Sequence, residues 1–211
     1  MTEFYHSMKK NFIFFIAALF IISCGKKNSD EQNVQQNKQQ NNQQNNQQNP
    51  TQIKNENRSS DLKITSTTFK EGGMIPKSCS CDGANSSPGL SWSGAPDGVQ
   101  SYAIIADDPD APMGTWVHWV IFNIPLNISS LKENLPKDKS LDNGAVQGKN
   151  DFGKTGYDGP CPPGGTHRYF FKLYALDTML ENDAGMTKAD FLKSAEGHIV
   201  AQAELMGKYS R

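Results

Sequence analysis

The sequence has little excess charge of either sign: across 211 residues, 21 Lys and Arg stand against 22 Asp and Glu. In the part able to fold, residues 61–211, 14 basic residues face 18 acidic ones, a net charge of −4. Nucleic acid is gripped by basic surfaces, so it is excluded as a partner. Long hydrophobic runs are missing too. The N-terminal run Asn11–Ile22 ("NFIFFIAALFII") is too short to span a bilayer but has the length of a signal-peptide core. Cysteine is scarce, with Cys79, Cys81 and Cys161 alone in residues 61–211. An odd number leaves at least one thiol over, and Cys-x-Cys with one distant partner lacks the paired spacing of a structural zinc site. Neither a Gly-x-Ser-x-Gly elbow nor a His-x-x-x-His pair is present, which removes the usual local signatures of a serine hydrolase and of a metal site.

What is present divides the chain into three. Residues 1–24 read as a signal segment: Met8-Lys9-Lys10 precedes the apolar run, which ends at Ile21-Ile22-Ser23-Cys24. That ending resembles the lipobox of bacterial lipoproteins, so Cys24 is expected to carry the acyl anchor. An uncleaved membrane helix is the alternative. Residues 25–60 contain an almost pure Asn/Gln tract from Gln32 to Asn49, with no aromatic residue. It cannot bury a core and is expected to be a disordered tether with a reach of roughly 35 Å. The expected location is the cell envelope, facing the periplasm or the exterior. Residues 61–211 are one domain's worth of chain.

Within that domain, runs rich in β-branched and aromatic residues lie between Gly, Pro and Asp clusters, the pattern of strands joined by turns. The strands predicted are Ile64–Phe69, Leu90–Ser93, Ser101–Ala106, Trp116–Ile124 and Arg168–Leu176. Thr187 is placed to cap a short helix over Lys188–Ala195, with Asp190 completing a capping box. After Gly197 a period of two predicts a further half-buried strand. The expected fold is mostly β: an antiparallel sandwich of two packed sheets with short peripheral helices. Alternation along Trp116–Ile124 places Trp116, His118 and Val120 on one face and Val117, Trp119 and Ile121 on the other.

Two segments concentrate chemistry. One is "DDPDAPMGTWVHW", Asp107–Trp119, which joins two strands with three carboxylates and a histidine; the other is "GYDGPCPPGGTHRY", Gly156–Tyr169, a rigid Pro/Gly loop leading to His167 and Tyr169. These two segments, with Cys81-Asp82-Gly83, Gly148–Gly153 and the ending Gly197–Arg211, resemble in order and spacing the phosphatidylethanolamine-binding protein family. The similarity is greatest to its bacterial branch, called Raf-kinase-inhibitor-like. The resemblance implies a large and a smaller sheet, with a pocket for anionic or phosphoryl groups formed by Asp108, Trp116, His118, Pro163, His167 and Tyr169, and Asp110 beside it. It also suggests that Cys161 pairs with Cys81. Val117 stands where eukaryotic members often carry a further histidine.

On this reading His118 and His167 are donors to a small anion, with imidazolium favoured by Asp108 and Asp110, and Trp116 and Pro163 are apolar walls. No cofactor is expected. Asp110 could instead cap the turn after its strand, and His198 reads as a core or turn histidine. Two other functions use the same residues. A metal hydrolase would take Asp108, Asp110, His118 and His167 as an oxygen/nitrogen ligand set. An interaction or inhibitor protein would present the pocket rim to a protein partner. Binding rather than turnover is the expectation.

Overall fold

The computed structural model describes residues 61–181 and 183–211. The signal segment, Cys24 and the Asn/Gln-rich tether lie outside the described residues. Among the described residues no helix is long and apolar enough to cross a membrane.

Among the described residues eight strands form two antiparallel sheets. The smaller contains β1 (Lys63–Ser66), β2 (Leu90–Ser93) and β5 (Ser130–Leu131), in the order β1-β2-β5. The larger contains β3 (Ser101–Asp108), β4 (Trp116–Pro125), β6 (Val146–Gln147), β7 (Thr166–Leu176) and β8 (Ile199–Ser210), in the order β6-β4-β3-β7-β8. The two-residue strands β5 and β6 carry too little pattern to be read from sequence. The main core lies between the sheets. Leu62, Ile64, Leu90, Trp92 and Leu131 from the small-sheet side meet Tyr102, Ile104, Trp119, Ile121, Phe171 and Leu173 from the large one.

The back of the large sheet is also covered, so β3 is buried along its whole length. Ala103, Ile105, Val120 and Phe122 pack there beneath α1 (Lys188–Ser194), which contributes Phe191. The capping box forms, Thr187 accepting from the Asp190 N–H while the Asp190 carboxylate accepts from the Thr187 N–H. Beside this core, the fully buried carboxylate of Asp107 receives Lys172 Nζ of β7 at 2.8 Å and Lys188 Nζ at the start of α1. An ionised group inside a protein needs such partners, and here they also pin the helix to the sheet.

Two features depart from the simple pattern. Strand β3 continues through Asp107 and Asp108, which therefore belong to the sheet rather than to the turn beyond it. In β4 the alternation breaks: Ala106 pairs with Trp119 while Asp107 pairs with Val117, leaving His118 as the extra residue of a bulge. Val117 consequently faces the back core with Val120, and Trp119 and Ile121 face the front. Bulges re-aim side chains at the ends of sheets, and this one sets the direction of His118.

Cys81 and Cys161 form a disulfide, tying the segment after the Lys77–Cys79 turn to the Pro/Gly loop before β7. Gly159 lets the two approach: a Cβ there would lie 1.9 Å from the Cys79 carbonyl oxygen. Cys79 itself is a buried free thiol whose pKa burial raises.

Two stability effects are expected. Asp107→Ala strips the buried clamp and should cost roughly 3 kcal/mol, read from the denaturant midpoint. Reducing the disulfide, which spans 80 residues, should lower stability by about 4.5 kcal/mol on the loop-closure model; an unchanged midpoint under reductant would contradict it.

Candidate functional site

Alternation along the central strands decides what faces the open end of the sandwich. On β3 the front-facing residues are Tyr102, Ile104 and Ala106, and the next in that series is Asp108. On β7 the front-facing series is Leu173, Phe171, Tyr169 and, at the strand's start, His167. The interior face thus turns polar where the strands leave the core. A cavity of about 330 Å³ opens there, lined by Asp108, Trp116, His118, Pro163 and His167. Ala111, Pro112, Met113, Phe152, Cys161 and Pro162 complete its wall.

Most of this wall is apolar, and its carboxylate and imidazole groups are held by hydrogen bonds, whereas Trp116 Nε1 is buried without a partner. Asp108 is buried; one carboxylate oxygen accepts the Asp110 N–H at 2.8 Å and the other receives His167 Nδ1 at 2.8 Å. His118 is buried as well, with Nδ1 2.6 Å from the Asp158 carbonyl oxygen. Its ring meets Phe152 and Tyr169 edge-to-face, with centroids 5.3 and 5.2 Å away. Burial lowers the His118 pKa, and the opposing pull of the Asp158 carbonyl and the Asp108 charge does not overcome it. The sequence-based expectation that nearby aspartates favour the imidazolium therefore does not hold at His118; desolvation wins.

Two of the expected pocket residues stand outside the cavity wall. Asp110 faces outward, where its carboxylate takes Arg168 at 2.6 and 2.9 Å; the guanidinium hydrogen bond holds its pKa at about 2. Tyr169 is buried behind His118, and its hydroxyl has no hydrogen-bond partner. Burial, reinforced by the Asp108 charge, keeps that phenol protonated. His198 lies elsewhere, paired with Asp177 at 2.8 Å on the surface.

Several residues were not singled out from sequence. Phe152 stands edge-to-face to Trp116 and His118 over the cavity. It is placed by Asp151, which exchanges hydrogen bonds with Val117: a carboxylate oxygen accepts the Val117 N–H at 2.7 Å and the Asp151 N–H reaches the Val117 carbonyl. Asp158 is buried, and its carboxylate accepts from Asn85 Nδ2, Lys137 Nζ and Asn150 Nδ2 at 2.7–3.0 Å. Burial pushes its pKa up, but those hydrogen bonds prevail and hold it below the ordinary value. Asn150 also accepts the Phe152 and Lys154 N–H groups, so one amide joins the loop carrying Phe152 to the segment carrying Asp158. The available signal was positional: both segments were dense in Gly, Asn and Asp.

Metal ligation finds no ready site, since no group of three or more His, Cys, Asp or Glu side chains is disposed to hold an ion among the described residues. The arrangement suits a small ligand enclosed by apolar walls and met by two imidazole edges.

Comparison with known proteins agrees with this geometry. The family model described as phosphatidylethanolamine-binding protein matches residues 65–210. A UPF0098 protein of Methanothermobacter thermautotrophicus is 51% identical over 150 residues, covering 71% of this chain and 99% of its own. A UPF0098 protein of Aquifex aeolicus is 44% identical over 153 residues, covering 71% of this chain and 89% of its own. The crystal structure of a phosphatidylethanolamine-binding protein homologue from Chlamydia trachomatis is 42% identical with a TM-score of 0.67, covering 72% of this chain and 99% of that one. The crystal structure of YbcL from E. coli, described as a new member of the mammalian family, is 37% identical with a TM-score of 0.67, covering 71% of this chain and 98% of that one. The family match, the sequence identities and the shared fold lead to one conclusion: this chain belongs to the phosphatidylethanolamine-binding protein family and is a ligand-binding protein.

Proposed function

We propose that this chain is a lipid-anchored binding protein of the cell envelope whose cavity holds a small phosphoryl-containing or otherwise anionic group. The observation that carries the reading is the convergence of two buried imidazoles, His118 and His167, on one largely apolar cavity. About 330 Å³ suits a head-group-sized ligand rather than a whole lipid. His167 is held by Asp108 through Nδ1, which leaves Nε2 as its remaining polar atom toward the ligand; in the imidazolium form that atom would donate to an anionic oxygen. Trp116, Pro163 and Phe152 supply the low-dielectric surroundings in which such a contact gains strength. The anchor rests on the Asn11–Ile22 run and on Cys24 after Ser23, and the Asn/Gln-rich tether would keep the domain clear of the lipid surface.

Titrating O-phosphoethanolamine into the full-length protein should give saturable NMR shifts at His118 and His167, and His118→Ala should weaken binding at least about tenfold, about 1.4 kcal/mol. No saturable shift at either ring would defeat the reading.

The buried His118 also carries a pH signature. Its pKa lies below the ordinary 6.5 in the fold, so the unfolded chain takes up a proton that the folded ring resists. Stability is therefore full above the unfolded value and is lost as pH falls through it toward the folded one. Denaturant midpoints measured from about pH 7 to about pH 5 should decline more steeply for the wild type than for His118→Gln, which has no ring to titrate. Parallel declines would refute the assignment.

A further inference from the structure

The hydrogen bonding of His118 restricts the ligand beyond its being phosphoryl. A carbonyl oxygen only accepts, so the 2.6 Å contact between Nδ1 and the Asp158 oxygen places the ring's hydrogen on Nδ1. In the neutral ring Nε2 is then a bare lone pair, an acceptor. Converting it to a donor means charging a ring that is 3% exposed and stacked edge-to-face with two aromatic rings. The titratable groups around it do little to help. Asp108 on β3 is already engaged by the Asp110 N–H and by His167. The Asp158 carboxylate is turned to Asn85, Lys137 and Asn150, with Lys154 Nζ 3.9 Å away. On β7, His167 is bound to Asp108, and Tyr169 is an uncharged phenol. Asp151, on the Phe152 loop, is bonded to the Val117 backbone. In keeping with that geometry, burial holds the ring's pKa below its ordinary value.

We infer that the ligand supplies the proton at this contact: the cavity selects a singly protonated phosphomonoester, whose P–OH donates to His118 Nε2, over the dianion and over a phosphodiester. The inference rests on the phosphoryl reading above and narrows it. A dianion brings only acceptors to the lone pair of His118 Nε2, with the engaged Asp108 carboxylate close by. Acceptor facing acceptor in a dry site leaves both unsatisfied. A diester lacks the second acidic oxygen and is an acceptor throughout at neutral pH. The monoester monoanion has both kinds of oxygen: a hydroxyl for His118 and an ionised oxygen for His167. No covalent step is involved, and the proton stays on the ligand.

The test compares two soluble compounds sharing one amine, O-phosphoethanolamine and the diester glycerophosphoethanolamine, titrated calorimetrically into the full-length protein across neutral pH. A phosphomonoester loses its second proton near pH 6, so its affinity should fall about tenfold per unit above that point. At pH near 6 the diester should bind at least about tenfold more weakly, and bound His118 should keep an unprotonated Nε2 in its ring ¹⁵N shifts. Equal affinity for the diester, a flat pH profile for the monoester, or a protonated Nε2 in the complex would overturn the inference while leaving phosphoryl binding intact. So would ethanolamine alone binding as tightly, because the ammonium would then be the donor. Binding of neither phosphoryl compound at any pH would overturn the phosphoryl reading and this inference with it.

Discussion

An ionised carboxylate inside a protein has to collect donors, and the loops of the site are arranged around meeting that demand for Asp158. Its oxygens draw in Asn85, Lys137 and Asn150, which belong to three separate stretches of chain. The backbone of the same residue is paired with His118 twice: its N–H reaches the His118 carbonyl at 3.0 Å and its carbonyl accepts from Nδ1. Removing one donor would leave the buried charge less compensated, which is more costly than losing an ordinary surface pair. The loops around the cavity, though short of regular structure, are therefore held in one geometry. The tautomer of His118 follows from that geometry.

Neighbouring carboxylates on β3 show how a period of two separates structural from functional work. Asp107 points to the back of the sheet, where two lysines neutralise it and α1 is fastened. Asp108 points to the front, where it orients His167 at the cavity. A slip of one residue would exchange them, placing a lysine-clamped carboxylate in the cavity and His167's partner beneath the helix. The bulge at His118 works within this frame. It lets His118 and Trp119 face the same side, so the strand supplies a pocket histidine without removing Trp119 from the core.

Much of the fold was legible because its long strands have clean patterns. The strand expected over Arg168–Leu176 is found as Thr166–Leu176, the one expected after Gly197 alternates as Ile199–Ser210, and the Thr187 capping box is a purely local signal. Asp108, Trp116, His118, Pro163 and His167 were grouped through a family resemblance, and the structure places all five on one cavity. What could not be read depends on three-dimensional context. The charge state of His118 turns on desolvation competing with nearby charge, and no spacing encodes how dry a site is. The bulge has no residue signature in "WVHWVIF", because it comes from register against β3. Asp110 was placed beside the pocket through the same resemblance, yet Arg168, the residue just before Tyr169, draws it outward. Asn85 and Lys137 reach Asp158 across 73 and 21 residues, separations at which one sequence offers no pairing signal.

The acidic stretch that begins at Asp107 looks ill suited to the anionic ligand proposed above, yet in the structure each of its carboxylates is engaged elsewhere. Asp107 is neutralised on the far face of the sheet, Asp110 by Arg168 at the surface, and Asp108 by His167 and a backbone N–H. What remains toward the cavity is imidazole, aromatic edge and proline, a surface of low net charge despite its acidic sequence. A strongly cationic pocket would hold any anion tightly and discriminate little among them. A nearly neutral one must rely on matching donors to acceptors, and in such a site a single misplaced proton costs far more than it does in water. On the proposed reading, selectivity at this cavity would follow from its dryness, which the apolar walls enforce, and Asp108 would serve mainly to orient His167.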